Sequence, residues 1–252
     1  MDPDHDPTAT EGTTRRALVG GAGALALAGA MIPLTGTATA AATVRHGDWL
    51  HGGSLRHFLD FTVTQEQFGV TAVTAAIEKA PGTPSAQFLP VLRAIVTTEF
   101  THVQALRAIG ARPLTSAFWI PNAVFDGGVG LFEGFAVVEA IEISLYLVGI
   151  TAFTGRSDPF GARLCAEALG TEAEHRVLAR FAASQLGAPT APPNNVGFEA
   201  FPYKTTTQAR EALMGLGIGY GEPSSAPGAF YEYPGDPVAN GVGTPVDSPT
   251  PE

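Results

Sequence analysis

The chain has 252 residues, of which 45% are hydrophobic and 15% are charged, a composition that suits one substantial globular domain. Its formal net charge of −10, without any run rich in Lys and Arg, excludes the basic surface that binding to a phosphate backbone requires, so we expect no nucleic acid partner. The single cysteine, Cys165, excludes an intramolecular disulfide and any zinc or iron–sulfur site built from cysteines.

The first forty residues have the pattern of an export signal. The pair Arg15-Arg16 precedes a Gly/Ala-rich apolar stretch (17–32), and the sequence ATA at 38–40 has the form of a signal-peptidase site. The arginine pair resembles a twin-arginine leader, with an ordinary Sec signal as the alternative. The stretch of roughly 16 apolar residues is shorter than the ~20 needed to cross a bilayer. We therefore predict a signal peptide at 1–40, export across the cytoplasmic membrane, and a mature chain without an integral membrane segment.

Four segments of the mature chain have the apolar periodicity of α-helices, with residues three and four positions apart and Pro/Gly breaks between segments. The predicted helices cover residues 54–80, 85–109, 128–154 and 158–186. Two connections are short, whereas the one between the second and third helices is long enough to cross a bundle. We therefore predict an all-α fold, with a short N-terminal segment at 41–53 and a four-helix bundle at 54–186 in which two hairpins are joined by one long crossover.

The last part of the chain, residues 187–252, differs in composition from the predicted helices. It is rich in proline and glycine, which predicts an irregular tail with one possible short helix at 205–217. It also contains many phenylalanine and tyrosine residues, which are scarce in disordered segments. We therefore expect the tail to pack against another part of the chain.

Two of the predicted helices contain the motif Glu-x-x-His. The first motif is EFTH, with Glu99 and His102, and the second is EAEH, with Glu172 and His175. Residues three positions apart lie about 60° apart around a helix axis, so both side chains of each motif lie on one face. Since each motif lies within a long apolar helix, we expect a carboxylate and an imidazole of each to be buried.

Three further glutamates are predicted to lie at the level of these motifs. Counting from the predicted hairpin turns, Glu66 falls opposite the first motif, and Glu139 and Glu142 fall opposite the second. Burying carboxylates is strongly unfavourable unless they are paired, hydrogen-bonded or bound to metal. Divalent cations would neutralise them and accept neutral imidazole as a ligand. The sequence therefore predicts a buried metal site, with a metal-free polar core as the alternative.

Residues 54–186 resemble the ferritin-like proteins with a carboxylate-bridged dinuclear metal site. Their pattern is one Glu from each of two helices and Glu-x-x-His from each of the other two, and Glu66, EFTH, Glu139 and EAEH supply this set in the family's order. With its leader and its Gly/Pro-rich tail, the chain looks most like exported members that include desiccation-related proteins. It departs from some relatives in having no C-x-x-C pair for a rubredoxin-like electron-transfer site and only one glutamate at the site level of its first helix.

The resemblance implies a role for each candidate residue. The implied metal ligands are Glu66, Glu99, His102, Glu139, Glu172 and His175. Within this set, Glu99 and Glu172 would bridge two divalent ions, and the other four would be terminal ligands. Glu142 is either an additional ligand or part of a polar network around the site. Tyr146 either forms a hydrogen bond to a ligand carboxylate or packs as an ordinary core tyrosine.

The resemblance also implies a function, although this fold supports several chemistries. We expect a dimetal protein, with iron favoured over manganese, that acts in the redox chemistry of O2, peroxide or ferrous iron. A ferroxidase, a peroxidase and a catalase-like enzyme are all compatible with these ligands, and no catalytic residue is assigned. The alternative is a non-catalytic stress or desiccation-related envelope protein that uses the bundle as a structural or interaction module. The expected partners are metal ions and O2 or peroxide, and a homodimer is possible.

Overall fold

A computed structural model describes residues 54–189, 197–198 and 201–251. The predicted signal peptide at 1–40 and the segment at 41–53 lie outside these residues. The described part is mostly helical, as predicted. Its α-helices are α1 (Leu55–Lys79), α2 (Leu89–Ala108), α3 (Val129–Thr154), α4 (Pro159–Gln185) and α5 (Thr206–Gly215).

The starts of the long helices follow from local capping chemistry. The hydroxyl of Ser54 accepts a hydrogen bond of 3.2 Å from the backbone N–H of His57 at the start of α1. At the start of α4, the Asp158 carboxylate accepts one of 3.0 Å from Gly161 N–H, and Pro159 occupies the first turn, where no backbone donor is required. A 3-10 turn at Pro84–Phe88 precedes α2, so the regular helix begins later than the predicted residue 85.

The four long helices contact one another in a cycle. α1 packs mainly against α2 and α3 mainly against α4, while smaller contacts join α1 to α3 and α2 to α4. Their apolar faces form one hydrophobic cluster, which includes Val63, Leu92, Phe132, Val148 and Leu164. Side chains from all four helices therefore meet in a common interior.

The structure adds a small β-sheet that the sequence analysis did not predict. Its strands are β1 (Ala117–Pro121), β2 (Gly219–Tyr220) and β3 (Gly228–Glu232), arranged in the order β2-β1-β3 with both pairs antiparallel. β1 belongs to the long connection between α2 and α3, and the other two strands belong to the tail. Strands of two and five residues are too short to produce a clear alternating pattern in the sequence. The tail is therefore not irregular throughout.

The sheet and α5 cover one side of α1 and α3. A second hydrophobic cluster joins Phe68 of α1, Phe118 of β1, Ile141 of α3 and Leu213 of α5. The ring of Tyr220 in β2 lies within 6.4 Å of the ring of Phe68, measured between centroids. The tail thus packs against the helices, which accounts for part of its aromatic content.

Helix α3 is long and apolar enough to cross a membrane by length and composition alone, with a mean hydropathy of 1.8 over its most apolar 18 residues. However, 61% of this stretch is buried within the structure, and α3 carries the buried carboxylates of Glu139 and Glu142. A core helix meets the same length and composition criterion. The described residues therefore give no indication of an integral membrane segment.

Candidate metal centre

The structure brings all six predicted metal ligands together in the interior of the four long helices. They are Glu66 on α1, Glu99 and His102 on α2, Glu139 on α3, and Glu172 and His175 on α4. The four glutamates are fully buried, and the two histidines are only 9% and 3% exposed, in that order. The residues that helical spacing and distance from the hairpin turns place at one level therefore form one buried cluster.

The six residues form two overlapping groups, each of which could hold a metal ion. Within each group, one ligand atom per residue lies within 4.8 Å of the others. The first group is Glu66, Glu99, His102 and Glu172, and the second is Glu99, Glu139, Glu172 and His175. Each group has three carboxylates and one imidazole, and Glu99 and Glu172 belong to both. The two groups are therefore adjacent and share two carboxylates.

Both imidazoles present the same ring nitrogen to the carboxylates. Nδ1 of His102 lies 2.8 Å from Oε1 of Glu172 and 3.3 Å from Oε2 of Glu66. Nδ1 of His175 lies 3.0 Å from Oε2 of Glu172 and also 3.0 Å from Oε1 of Glu99. An unprotonated imidazole nitrogen and a carboxylate oxygen both carry lone pairs and repel each other. At these distances, either a hydrogen on Nδ1 or a cation must therefore lie between Nδ1 and the carboxylate oxygens.

Several carboxylate oxygens in the cluster lack a hydrogen-bond donor among the described residues. Both oxygens of Glu99 and both oxygens of Glu139 are buried without one. Unsatisfied buried carboxylates are strongly unfavourable. Since carboxylate oxygen and imidazole nitrogen are the ligands that iron and manganese accept, the donor set fits a divalent metal.

Burial and mutual repulsion shift the protonation of the glutamates. Burial, followed by the negative charge of Glu172, raises the pKa of both Glu99 and Glu139 well above its ordinary value. Burial also acts to raise the pKa of Glu172, but the interaction with His102 and then with His175 outweighs it and lowers that pKa. Without a metal, the cluster therefore balances its charge through protons, which a bound cation would displace.

The same electrostatic coupling acts on the first imidazole. Burial lowers the pKa of His102, but the carboxylates of Glu172 and Glu66 outweigh this effect and raise the pKa well above its ordinary value. The carboxylates of Glu172 and Glu66 therefore favour a positive charge at this position, which is compatible with a bound cation.

Tyr146 takes the hydrogen-bonding role, one of the two alternatives that the sequence left open. Its hydroxyl donates a hydrogen bond of 2.5 Å to Oε1 of Glu66, and its ring lies edge-on to His102 with the centroids 6.1 Å apart. Burial, and next the charge of Glu66, raises the pKa of Tyr146 well above its ordinary value, so the phenol keeps its proton. Tyr146 therefore orients a carboxylate of the first group.

Glu142 lies beside the cluster but belongs to neither group of candidate ligands. Its Oε1 accepts a hydrogen bond of 2.9 Å from Nε2 of Gln65, and Oε1 of Gln65 accepts one of 2.5 Å from the hydroxyl of Tyr220. This geometry favours the polar-network interpretation of Glu142. Neither Gln65 nor Tyr220 was predicted from the sequence. Gln65 could have been noticed as a polar neighbour of Glu66 in an apolar helix, but no spacing connects it with Tyr220.

Thr98 is a further residue that the sequence analysis missed. Its Oγ1 lies 2.7 Å from Nε2 of His175 and donates a hydrogen bond of 2.8 Å to the carbonyl oxygen of Ile95. Because the hydroxyl hydrogen is used in that bond, Oγ1 accepts the Nε2–H hydrogen of the imidazole. This places the lone pair of a neutral His175 on Nδ1, the nitrogen that faces the carboxylates.

Replacing Thr98 with Val should weaken metal binding without unfolding the protein. The substitution preserves the side-chain shape but removes the acceptor that orients His175, and loss of such an outer partner typically costs about 10- to 100-fold in metal affinity. The measurement is a competitive titration with a chelator. Thr101→Val, one turn further along α2, is the matched control because the Thr101 hydroxyl bonds only to the backbone oxygen of Thr97 among the described partners. Equal affinities for the two variants would contradict the role of Thr98.

A glycine on α1 permits the close approach of Glu99. A Cβ atom built on Gly69 would overlap Oε2 of Glu99 and lie 3.0 Å from its Cδ. The carboxylate therefore occupies the space that a side chain at position 69 would need. Because Glu99 belongs to both groups, this space contributes to the whole cluster.

Replacing Gly69 with Ala is therefore expected to displace the Glu99 carboxylate and to lower the affinity for metal by roughly tenfold or more. The affected atoms are the end of a side chain, so the effect on the unfolding free energy of the metal-free protein should be small. Gly170→Ala on α4 is the control, since a Cβ there meets nothing within 4 Å. Calorimetric metal titrations of both variants test the prediction, which fails if Gly69→Ala binds metal as tightly as Gly170→Ala.

Comparison with known proteins does not identify a relative: no family model, no curated protein and no solved structure matches the chain. The relation to ferritin-like proteins therefore remains an expectation drawn from the residue pattern. The buried cluster itself, with its two overlapping groups and its unsatisfied carboxylate oxygens, indicates a metal-binding role.

Proposed function

We propose that this chain is a ferritin-like protein that holds two divalent metal ions and acts in the redox chemistry of O2, peroxide or ferrous iron. The observation that carries the proposal is the presence of two adjacent four-residue groups that share Glu99 and Glu172. The cyclic contacts of the four long helices and the long connection between α2 and α3 support the ferritin-like part. Iron is the favoured metal, and manganese is the nearest variant because the same ligands suit both.

Each ligand has a defined place in this proposal. Glu66 and His102 belong only to the first group, and Glu139 and His175 belong only to the second. Glu99 and Glu172 would serve both ions. When bound, two iron ions would supply one-electron oxidation and reduction steps toward O2 or peroxide, and two manganese ions would support peroxide disproportionation.

The residues around the ligands hold them in position and retain protons. Tyr146 donates its hydroxyl hydrogen to Glu66, Thr98 accepts the Nε2 hydrogen of His175, and Gln65 donates to Glu142. These contacts limit the rotation of two carboxylates and an imidazole. The almost complete burial of the cluster excludes bulk water and strengthens the electrostatic interactions within it.

Elemental analysis of the purified protein, followed by activity assays, tests the proposal. We expect about two iron or manganese ions per chain, an ultraviolet-visible spectrum that changes on oxidation, and oxidation of ferrous iron or consumption of peroxide above the rate in buffer. Protein that contains no redox metal after reconstitution and shows no turnover would overturn the proposal. Protein that binds two redox metals but shows no turnover would instead favour the non-catalytic envelope protein.

We also propose that the protein is exported, on the basis of Arg15-Arg16 and the cleavage pattern at 38–40. Replacing both arginines with Lys should leave uncleaved precursor in the cytoplasm, because a twin-arginine route requires the pair while the apolar stretch and the cleavage pattern remain intact. Cell fractionation with an antibody against the mature chain measures this. Processing and export at the normal rate would contradict the twin-arginine assignment and favour a Sec signal.

A further inference from the structure

A cavity of about 330 Å³ lies beside the metal centre, between α2, α4 and the end of the chain. Two residues of the centre line it, namely His102 and Tyr146. His102 is 9% exposed, more than any other of the six candidate ligands. Thr98, the hydrogen-bond partner of His175, also lines the cavity. The cavity therefore contacts the candidate centre at three positions.

The outer wall of the cavity is formed by the C-terminal segment, defined here as residues 241–251. Its first part is fixed to α2: Nη1 of Arg93 donates hydrogen bonds of 3.1 Å and 2.9 Å to the carbonyl oxygens of Gly241 and Val242, and Thr244 N–H donates one of 3.0 Å to the carbonyl oxygen of Arg93. Val246 and Ser248 then line the cavity. The segment is thus anchored immediately before the residues that complete the wall.

The lining of the cavity is amphipathic, and among its described residues His102 is the only basic side chain. The hydroxyl groups come from Tyr146, Thr98, Thr101, Thr171, Ser248 and Thr250, and the apolar surface comes from Ala105, Leu164, Ala168, Val246 and Pro251. Glu167 is the only carboxylate among the described lining residues, and it lies 3.5 Å from the guanidinium of Arg163. With His102 as a neutral metal ligand, none of the described lining residues carries a positive charge, so little compensates the desolvation of an anion.

We propose that this cavity binds a small, uncharged, amphipathic organic molecule of about the size of a single six-membered ring, with a hydroxyl group directed to the threonines. A volume of about 330 Å³ is at the lower end of the range for organic ligand pockets, which excludes large cofactors. The assignment of this ligand as a substrate depends on the proposed redox function, whereas the binding itself does not. The position of the cavity against His102 and Tyr146 would place such a molecule next to the metal centre.

Cyclohexanol and cyclohexanesulfonate are suitable probes because they share the ring and differ in charge. Ligand-observed NMR titration of the full mature protein should give a dissociation constant on the order of 1 mM for cyclohexanol. Binding of the sulfonate should be at least roughly tenfold weaker, since its charge would lose hydration without a partner. Equal binding of the two probes would overturn the proposed ligand class.

The first variant places a larger side chain in the cavity. Ala105→Leu should raise the dissociation constant for cyclohexanol by roughly tenfold or more, because its added methyl groups occupy the cavity. Ala108→Leu is the matched control on the same helix, since Ala108 is exposed and does not line the cavity. Unchanged binding by Ala105→Leu, or an equal loss in Ala108→Leu, would place the probe elsewhere and overturn the proposal.

A shortened chain that ends at Pro245 tests the site without altering any helix. It keeps the anchoring contacts to Arg93 but removes Val246, Ser248, Thr250 and Pro251 from the wall. We expect its affinity for cyclohexanol to fall by roughly tenfold, with two metal ions still bound. Unchanged affinity would show that the C-terminal segment does not form the site.

Metal content distinguishes failure of this inference from failure of the proposed function. Protein that binds two metal ions but does not bind cyclohexanol contradicts the cavity alone. Protein that binds cyclohexanol in the cavity but no redox metal contradicts the dimetal function, and the cavity then remains a binding site without a redox role.

Discussion

Replacing Glu172 with Gln is expected to abolish high-affinity binding of both metal ions together. Glu172 belongs to both groups, and its two oxygens lie 2.8 Å from Nδ1 of His102 and 3.0 Å from Nδ1 of His175. The amide is nearly isosteric but carries no charge and offers only one acceptor oxygen. Loss of a shared anionic ligand should lower the affinity of each ion by more than about 100-fold, beyond the effect of a lost outer-sphere partner. Metal content after dialysis against a weak chelator measures the loss.

Two further variants complete this experiment: one is a control outside the cluster, and the other changes a residue of one group only. Glu174→Gln changes an exposed glutamate on the same helix, so it should retain both ions. Glu139→Gln changes a residue of the second group only, so it should release one ion more readily than the other. If Glu172→Gln released a single ion and kept the other at full affinity, the shared position of Glu172 would be wrong.

Metal loading is expected to raise the melting temperature by about 5–10 °C for each bound ion. A ligand that binds only the folded state and is present at 100 times its dissociation constant adds about 2.7 kcal/mol to the unfolding free energy. For a chain of this size, each kcal/mol corresponds to roughly 2–4 °C in the midpoint. The cation would also satisfy the four carboxylate oxygens of Glu99 and Glu139 that lack donors. Differential scanning calorimetry of chelated and reconstituted protein measures the shift.

Glu172→Gln also serves as the control for this stability experiment. The variant removes a ligand of both groups, so added metal should leave its melting temperature unchanged within about 1 °C. A shift in the variant equal to that in the original protein would indicate that metal stabilises the fold from another site. Coincident curves for chelated and loaded original protein would support a metal-free polar core.

The candidate ligands could be predicted because helical geometry relates sequence spacing to position in a simple way. The spacing of Glu99 and His102 places both on one face, and equal distances from a hairpin turn place Glu66 at the same level. Burial of these residues followed from the apolar helices around them. These relations need only the period of a helix and the length of a connection, which the sequence displays directly.

The surroundings of the cluster could not be predicted in the same way, because they depend on contacts between distant segments. Tyr220 reaches Gln65 from a strand of two residues, and the C-terminal segment reaches Arg93 across about 150 positions. Short strands and irregular segments have no characteristic period, so their positions are decided by packing against the helices. The hydrogen bond between Thr98 and His175 was equally inaccessible, since Thr98 on its own is an ordinary helical threonine.

The pairing of β1 with strands from the tail has a consequence for the order of folding. β1 lies between α2 and α3, but its partners β2 and β3 are synthesised about 100 residues later. During synthesis, Phe118 and Ile120 must therefore remain without the neighbours that α5, β2 and β3 provide until the segment 206–232 has been made. Such long-range closure slows folding relative to helical proteins with local contacts. An interval with exposed apolar surface on α1 and α3 favours chaperone binding before the last residues dock.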